Sequence, residues 1–480
     1  MNKKDFPKIH FYDQDFVDIY DKSWSWLADY WLNPKTGEAA SDGYFIYPGV
    51  SPDSKELFID QFEAIFASFF LVYSNRNYPA SQNLDYLYSK QEDNGAIRWR
   101  YNTVTGLAVE DSENPKGVSM PLFAWAEFNL YHKSANKKRV KDIMPILQKY
   151  MEWIDAEFKQ PNGLYAAPVA ATSMRNSPRE NAVYLVDFNA AVAINAAHMS
   201  ALGEILNDKE LGFQYKKMYF SLKTRINGMM WDSETGFYHD LDKDEKRLPH
   251  KTIAGFWPLL AELPNADKAD TLIAHLSNPA TFGTDHPFPT LSADHPAFSE
   301  YGNGYCGSVF PAFNFMVVKG LEKYQKYDLA REAAIRHVYY ILEGLSPANS
   351  KERGALYEAY LPCKEGFAKW DSDPDFPRKK YMHTICLSTI AIMIENIIGL
   401  SISLPRKTVD WIIPNLEIMG IENLSLKRNL ITILSNKSTR GWEIQMESEK
   451  LYYFTINILN SKKKTLPIPS GKCSMLIDKL

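Results

Sequence analysis

The carboxylate with the most to do in this chain is Glu358, in the stretch 354–362 (GALYEAYLP), with Gly366 shortly after it. Glycine and proline at the ends of this stretch mark a loop. A carboxyl set among Leu356, Tyr357, Tyr360 and Leu361 is partly stripped of water, which favours its protonated form, and tyrosines offer a sugar both flat faces and hydroxyls. Glu358 is therefore placed at the floor of a carbohydrate site, the plain alternative being one more exposed loop acid. Other loops mix acids, amides, arginines and rings in the same way. They are the stretch before Asp60; 91–100, with Gln91, Arg98 and Trp99; 163–187, with Arg175, Asn176, Arg179, Glu180 and Asp187; 286–307, with His286 and Tyr305; and 346–381, with Tyr360 and Trp370. Loops of that length inside a compact fold are more often functional than ornamental.

The elements that must position these groups are helical. Apolar residues recur at helical spacing over 13–33, 55–75, 80–92, 119–134, 137–157, 184–207, 209–229, 252–263, 266–276, 304–323, 326–345 and 381–399. Every second segment is apolar nearly all round, as in 190–202, and its neighbour keeps a charged face, as in 209–223. Alternation of that kind fits an inner ring covered on both sides and an outer ring facing water, so the expected fold is an all-α (α/α)6 toroid of about twelve helices. A helical-repeat solenoid is the competing architecture, but no motif recurs at fixed period. Residues 231–240 place a Ser-Glu-Thr-Gly turn between aromatic ends, a short hairpin. From 403 the pattern turns to short β-type runs, including 430–434, 442–446 and 452–456, with Pro405 and Pro414 at the boundary. The expected division is a barrel over 1–402 and a small β-rich domain over 403–480 packed on it, since a few short strands need such support.

Composition removes several classes of function. A net charge of −4 on 480 residues gives no reason to expect nucleic acid or an anionic membrane surface as partner. No window approaches the ~20 apolar residues of a membrane span. Cys306, Cys363, Cys386 and Cys473 show no metal or disulfide spacing and are expected to be free thiols. Asp371, Asp373 and Asp375 alternate like the start of a calcium loop, but Phe376 and Met382 stand where that loop needs Gly and Glu. They form a solvated acidic loop, His383 reads as a satisfied buried histidine, and neither metal nor cofactor is expected. The start Met1-Asn2-Lys3-Lys4 is charged like a signal peptide, yet 5–10 brings no apolar run. A cytoplasmic location is expected, or a periplasmic or secreted one if a leader has been removed.

Several motifs in order resemble the (α/α)6 glycoside hydrolases of the trehalase and family 63 type, especially bacterial mannosylglycerate hydrolase-like proteins. They are Leu84-Asp85-Tyr86-Leu87-Tyr88 with Gln91, Gly95 and Arg98; Asn176-Ser177-Pro178-Arg179 followed by Val186-Asp187-Phe188-Asn189; Ala254-Gly255-Phe256-Trp257-Pro258; Pro287-Phe288-Pro289-Thr290; Gly304 to Phe310 with Asn314; and Tyr357-Glu358-Ala359-Tyr360. The resemblance covers roughly the first 400 residues. It implies hydrolysis of an α-linked glycoside with inversion, one carboxylic acid protonating the leaving oxygen and a carboxylate across the ring activating water. Glu358 matches the base. Where the family has the acid, an Asp just before Asn-Ser-Pro-Arg, this chain has Arg175, which cannot donate a proton near neutral pH.

Glu180 and Asp187 are the nearby carboxyls left as acid candidates, with a helix cap as the alternative for Asp187. Arg175 is suited instead to grip a carboxylate, so an anionic sugar such as a uronate is one hypothesis. Asp60 matches an Asp that holds sugar hydroxyls, with Ile59 in place of the family's Trp; its alternative is a helix N-terminal acid. Tyr305 and Phe310 stand where the family tends to have Trp, and Cys306 where it tends to have Arg. The other readings are a carbohydrate-binding protein that lost turnover with the acid, and a toroid epimerase or lyase in which His or Tyr moves the proton.

Overall fold

The computed structural model describes residues 6–40, 42–48, 57–74, 76–345, 356–379, 382–412, 418–426, 429–438, 441–448, 454–458, 464–468 and 471–477. Among the described residues, the first 400 positions carry twelve helices: α1 (Gln14–Leu27), α2 (Gln61–Leu71), α3 (Gln82–Tyr88), α4 (Phe123–Ser134), α5 (Lys137–Phe158), α6 (Val186–Leu206), α7 (Lys209–Met229), α8 (Trp257–Leu260), α9 (Ala266–Ser277), α10 (Pro311–Lys323), α11 (Tyr327–Leu345) and α12 (Met382–Cys386). The last continues as the π-helical turns Leu387–Ile397.

The even-numbered helices touch in a circuit. α2 packs on α4, α4 on α6, α6 on α8, α8 on α10, α10 on α12 and its π-helical turns, and these return to α2. Behind them α3 lies against α2, α5 against α4 and α6, α7 against α6, and α11 against α10 and the π-helical turns. Sequence explains the sorting. In α6 Val186, Phe188, Ala190, Val192, Ile194, Met199 and Leu202 are all buried, whichever face of the helix they occupy. In α7 only Leu211, Gly212, Tyr215, Leu222 and Ile226 are, and its lysines stay in water. Each aliphatic side chain sealed in this way stabilises the fold by about 1.5 to 3 kcal/mol.

Several expected helices are shorter than their apolar patterns, and two of these bear on the site. Residues 57–60 are a strand, pairing antiparallel with Arg100–Asn102 so that Asp60 lies opposite Arg100. Asp60 then starts α2, its carboxylate accepting the Glu63 amide. Residues 304–310 are turn and extended chain, because Gly304 (φ 61°) and Gly307 (φ 140°) hold conformations closed to other residues and Pro311 sets the helix start. The expected hairpin forms, Trp231–Asp232 against Phe237–Tyr238.

The C-terminal strands lie in two sheets. One has the order Lys464–Ile468, Phe454–Ile458, Thr408–Trp411, Leu400–Ser403, so β-structure begins three residues before 403. The other runs Ile418–Leu426, Asn429–Ser438, Gly441–Ser448, Gly471–Ile477 and takes Lys8–His10 from the start of the chain onto the Ile418–Leu426 edge. Pro414, Tyr452 and Tyr453 lie outside the described residues, as do Gly354, Ala355 and Tyr381.

Where the C-terminal ends of α4, α10 and the π-helical turns meet, a largely buried charge network lies on the wall of a cavity. Glu395 lies 3.2 Å from Lys133 and 2.6 Å from Lys319, and accepts the Tyr73 hydroxyl. Burial pushes the Glu395 carboxyl up, but Lys319 and Lys133 more than reverse this and bring it from 4.5 to about 2. Lys133 is itself lowered by burial, and Lys319, beside Glu322 as well, is raised. Glu395→Gln is expected to destabilise the protein by about 3 kcal/mol, read from denaturant midpoints, because two ammonium groups lose their shared anion. A depressed carboxyl contributes above its unfolded value and fades as pH falls through its folded one. The gap between wild type and variant should therefore narrow between pH 4.5 and about 2.

Candidate active site

Glu358 is presented by a strip of backbone pinned on both sides. Its N–H donates to the Arg378 carbonyl (3.0 Å), and Val309 and Tyr360 exchange two N–H···O bonds of 2.9 Å. Single bridges join Tyr357 to Lys379 and Tyr360 to Phe367. The buried Tyr360 hydroxyl accepts the Tyr357 N–H at 3.1 Å, so this ring braces the strip from behind. The Glu358 carboxylate, 6% exposed, takes Arg378 Nη1 on both oxygens at 2.9 and 2.8 Å and the Arg378 N–H on Oε2 at 3.2 Å. A carboxylate has about four lone-pair positions, so this clamp still leaves room for a water.

Glu358 opens onto a cavity of about 290 Å³. One wall is aromatic. Tyr305 stacks on Phe310 (centroids 4.7 Å, planes 6° apart) and meets Trp370 edge-on, and Phe313 closes behind them. The rest of the lining is rich in charges. Asp60 Oδ2 accepts Arg100 Nε (3.3 Å) and Nη2 (3.2 Å), Arg100 lies 4.3 Å over the Trp99 ring, and Glu63 sits in the first turn of α2. Arg175 reaches the cavity with its guanidinium paired to Asp111 and Glu113 and 5.9 Å over the same Trp99 ring. Burial disfavours the Asp111 carboxylate, but Arg175 overrides this and holds it below the usual range. Flat rings together with fixed carboxylates and guanidiniums suit a polyol with apolar C–H faces.

Six residues singled out in the sequence therefore line one cavity: Glu358, Asp60, Trp99, Arg175, Tyr305 and Trp370. The other eight lie off it, most of them bracing its walls. Gln91 Nε2 donates to the Gly95 and Ile146 carbonyls, and Arg98 pairs with Glu92. Asn176 accepts the Tyr305 N–H (2.7 Å) and donates to the Asn303 carbonyl (2.8 Å), which sets the loop carrying Tyr305. Gly304 allows this contact, since a Cβ there would lie 2.8 Å from the Asn176 amide. His286 is buried, 2.7 Å from His337, which reaches Ser388 at 2.7 Å. Burial lowers both imidazoles and keeps them neutral. Tyr360 is the brace already described.

The acid candidates Glu180 and Asp187 are not on the cavity either. Glu180 is exposed. Asp187 receives Arg179 Nη1 (2.9 Å) and Nη2 (2.7 Å), and Arg179 also holds Asp240 through Nε (2.7 Å) and Nη2 (3.0 Å), all buried. Asp240 in turn accepts the Val186 N–H at 2.8 Å and Asp187 the Phe188 N–H at 2.9 Å, so both carboxylates satisfy first-turn amides of α6. His383 is a core histidine, as expected, with its Nε2 2.7 Å from the Ile46 carbonyl. Glu63, Arg100 and Arg378 line the cavity without having been singled out. The spacing of Asp60 and Glu63 in one helical turn was the available signal for the first; the pairings of the arginines are long-range and left none.

Asp187→Asn is expected to destabilise the protein by about 3 kcal/mol, since it breaks a buried ion pair. The folded fraction should keep its sugar affinity. Loss of affinity at unchanged thermal stability would return Asp187 to the site.

A model of the mannosylglycerate hydrolase MGH1-like glycoside hydrolase domain matches residues 74–376, and one of the trehalase C-terminal domain matches residues 399–480. An uncharacterized protein of Borreliella burgdorferi is 52% identical over 481 residues, covering 100% of both chains. Among solved structures, a GH63 mannosylglycerate hydrolase from Thermus thermophilus in complex with glucose is 17% identical at a TM-score of 0.61, over 78% of this chain and 99% of that one. A sialidase is 16% identical at a TM-score of 0.72, over 92% of this chain, which spans 40% of its length.

Proposed function

Because the chain belongs to the mannosylglycerate hydrolase MGH1-like glycoside hydrolase family, we propose that it hydrolyses an α-linked glycoside or small saccharide with inversion, in an (α/α)6 toroid, with Glu358 as general base. The observation that carries this reading is a clamped, nearly buried carboxylate opening onto an aromatic cavity. The circuit of inner helices supports the toroid, whose N-terminal helix ends would frame the cavity. A volume of about 290 Å³ is at the small end of ligand pockets, which favours one sugar ring and a compact leaving group.

In this mechanism Arg378 holds the Glu358 carboxylate in place through both oxygens. A water on its free lone pair attacks the anomeric carbon, and the carboxylate takes the proton. Asp60, fixed by Arg100, accepts sugar hydroxyls, and Tyr305 and Trp370 cover the ring faces. A lyase or epimerase is less well supported, because no histidine is among the described cavity residues and Tyr305 is their one tyrosine. Arg175 is already balanced by two carboxylates, so it ties the Asp111 loop to the cavity rim rather than selecting an anionic sugar.

A panel of α-glycosides, including mannosylglycerate, with the initial product anomer followed by NMR, tests the reaction. Glu358→Gln should lower kcat by at least about 10²-fold without loss of fold, and undiminished turnover would remove Glu358 from the base role. Arg175→Ala should lower kcat/KM for neutral and anionic glycosides in parallel. A loss confined to the anionic ones would restore the anion grip.

A further inference from the structure

The wall that should carry a proton donor holds Arg175 instead, and this leaves hydrolysis without its second carboxyl. Three carboxyls line the cavity among the described residues: Glu358, Asp60 and Glu63. Glu358 is the base of the reading above. Asp60 accepts on both oxygens, Oδ1 from the Glu63 N–H at 3.2 Å and Oδ2 from Arg100 at 3.2 and 3.3 Å. With both oxygens turned to these donors, Asp60 keeps the role given to it above, holding sugar hydroxyls. Glu63 stands three residues on, in the first turn of α2, and its longer side chain forms part of the cavity wall.

We propose that Glu63 is the general acid of this enzyme, having taken over the task from the loop position now occupied by Arg175. The inference rests on the glycoside hydrolase reading and completes its carboxyl pair. Glu63 gives its proton to the glycosidic oxygen as the C1–O bond breaks, and the bonding electrons stay on that oxygen. Water adds to C1 from the side of Glu358, which takes the water's proton and later returns it through solvent to Glu63. The sum is one water consumed, with one free sugar and one alcohol formed.

Glu63 is also placed to complete a capping box with Asp60, which would make it a purely structural residue. Glutamine serves a capping box as well as glutamate does, so Glu63→Gln separates the two roles. The variant is assayed on an alkyl α-glycoside, whose leaving group needs a proton, and on the matching α-glycosyl fluoride, whose leaving group needs none. Turnover of the alkyl glycoside should fall about 10²- to 10⁴-fold and that of the fluoride by less than about tenfold. The alkaline limb of the kcat/KM profile should vanish with it. Glu358→Gln, the control, should lose both substrates.

A Glu63→Gln enzyme that keeps both activities, or loses them in parallel, overturns the assignment. Circular dichroism and the melting curve tell parallel loss through misfolding from loss in the site, and Glu63→Asp, which keeps an acid on a shorter arm, should recover part of the alkyl glycoside activity if the role is right. A wild-type protein that cleaves no glycoside and no glycosyl fluoride would defeat the hydrolase reading itself, and that result is seen before any variant is made.

Discussion

A helix packed between two neighbours, with another helix behind it, has no face left for water, so its polar chemistry is forced to its ends. This constraint organises the molecule. α2, α4, α6, α8, α10 and α12 satisfy it in a circuit. Asp60 and Glu63 begin α2, Phe313 lies in the first turn of α10 and Thr384 in that of α12, and all four line the cavity. The opposite ends of the same helices supply Lys133, Lys319, Glu322 and Glu395, which neutralise one another beside the strands that follow Leu400. One end thus presents its charges to the cavity beside Glu358, and the other pairs its charges with one another.

Much of the helical architecture was legible because burial on all sides leaves a plain mark. The uninterrupted apolar run of α6 and the charged face of α7 could be told apart by period alone. What period could not show is where an apolar run changes geometry. Phe58 and Ile59 continue the pattern of α2 but belong to a strand, because the pairing with Arg100–Asn102 lies some forty residues away. The Lys8–His10 strand escaped notice for the same reason: three residues carry no signal until their partner, some 410 residues later, is known.

The site was legible in part, and the division has a physical cause. Residues that meet the cavity and those that brace it share one composition, since both need rings and charged groups in long loops. Asn176 and Arg179 belong to the strongest motif, yet they set the loop bearing Tyr305 and the start of α6. Motif strength here reports how tightly a wall must be built. Carboxylate function is harder still to read, because it depends on the partner: Arg378 holds Glu358 at a cavity, whereas Arg179 makes Asp187 a buried strut.

The short strand Lys8–His10 also orders events during synthesis. Its partner, Ile418–Leu426, leaves the ribosome after every helix of the ring, and His10 meets Glu422 only then, at 3.0 Å. The segment leading into α1 must therefore wait, unpaired, while some four hundred residues emerge. Long-range closure of this kind is slow, and it exposes an open sheet edge for as long as it lasts. The strand ahead of α1 is thus bound only after all the helices that follow it have been made.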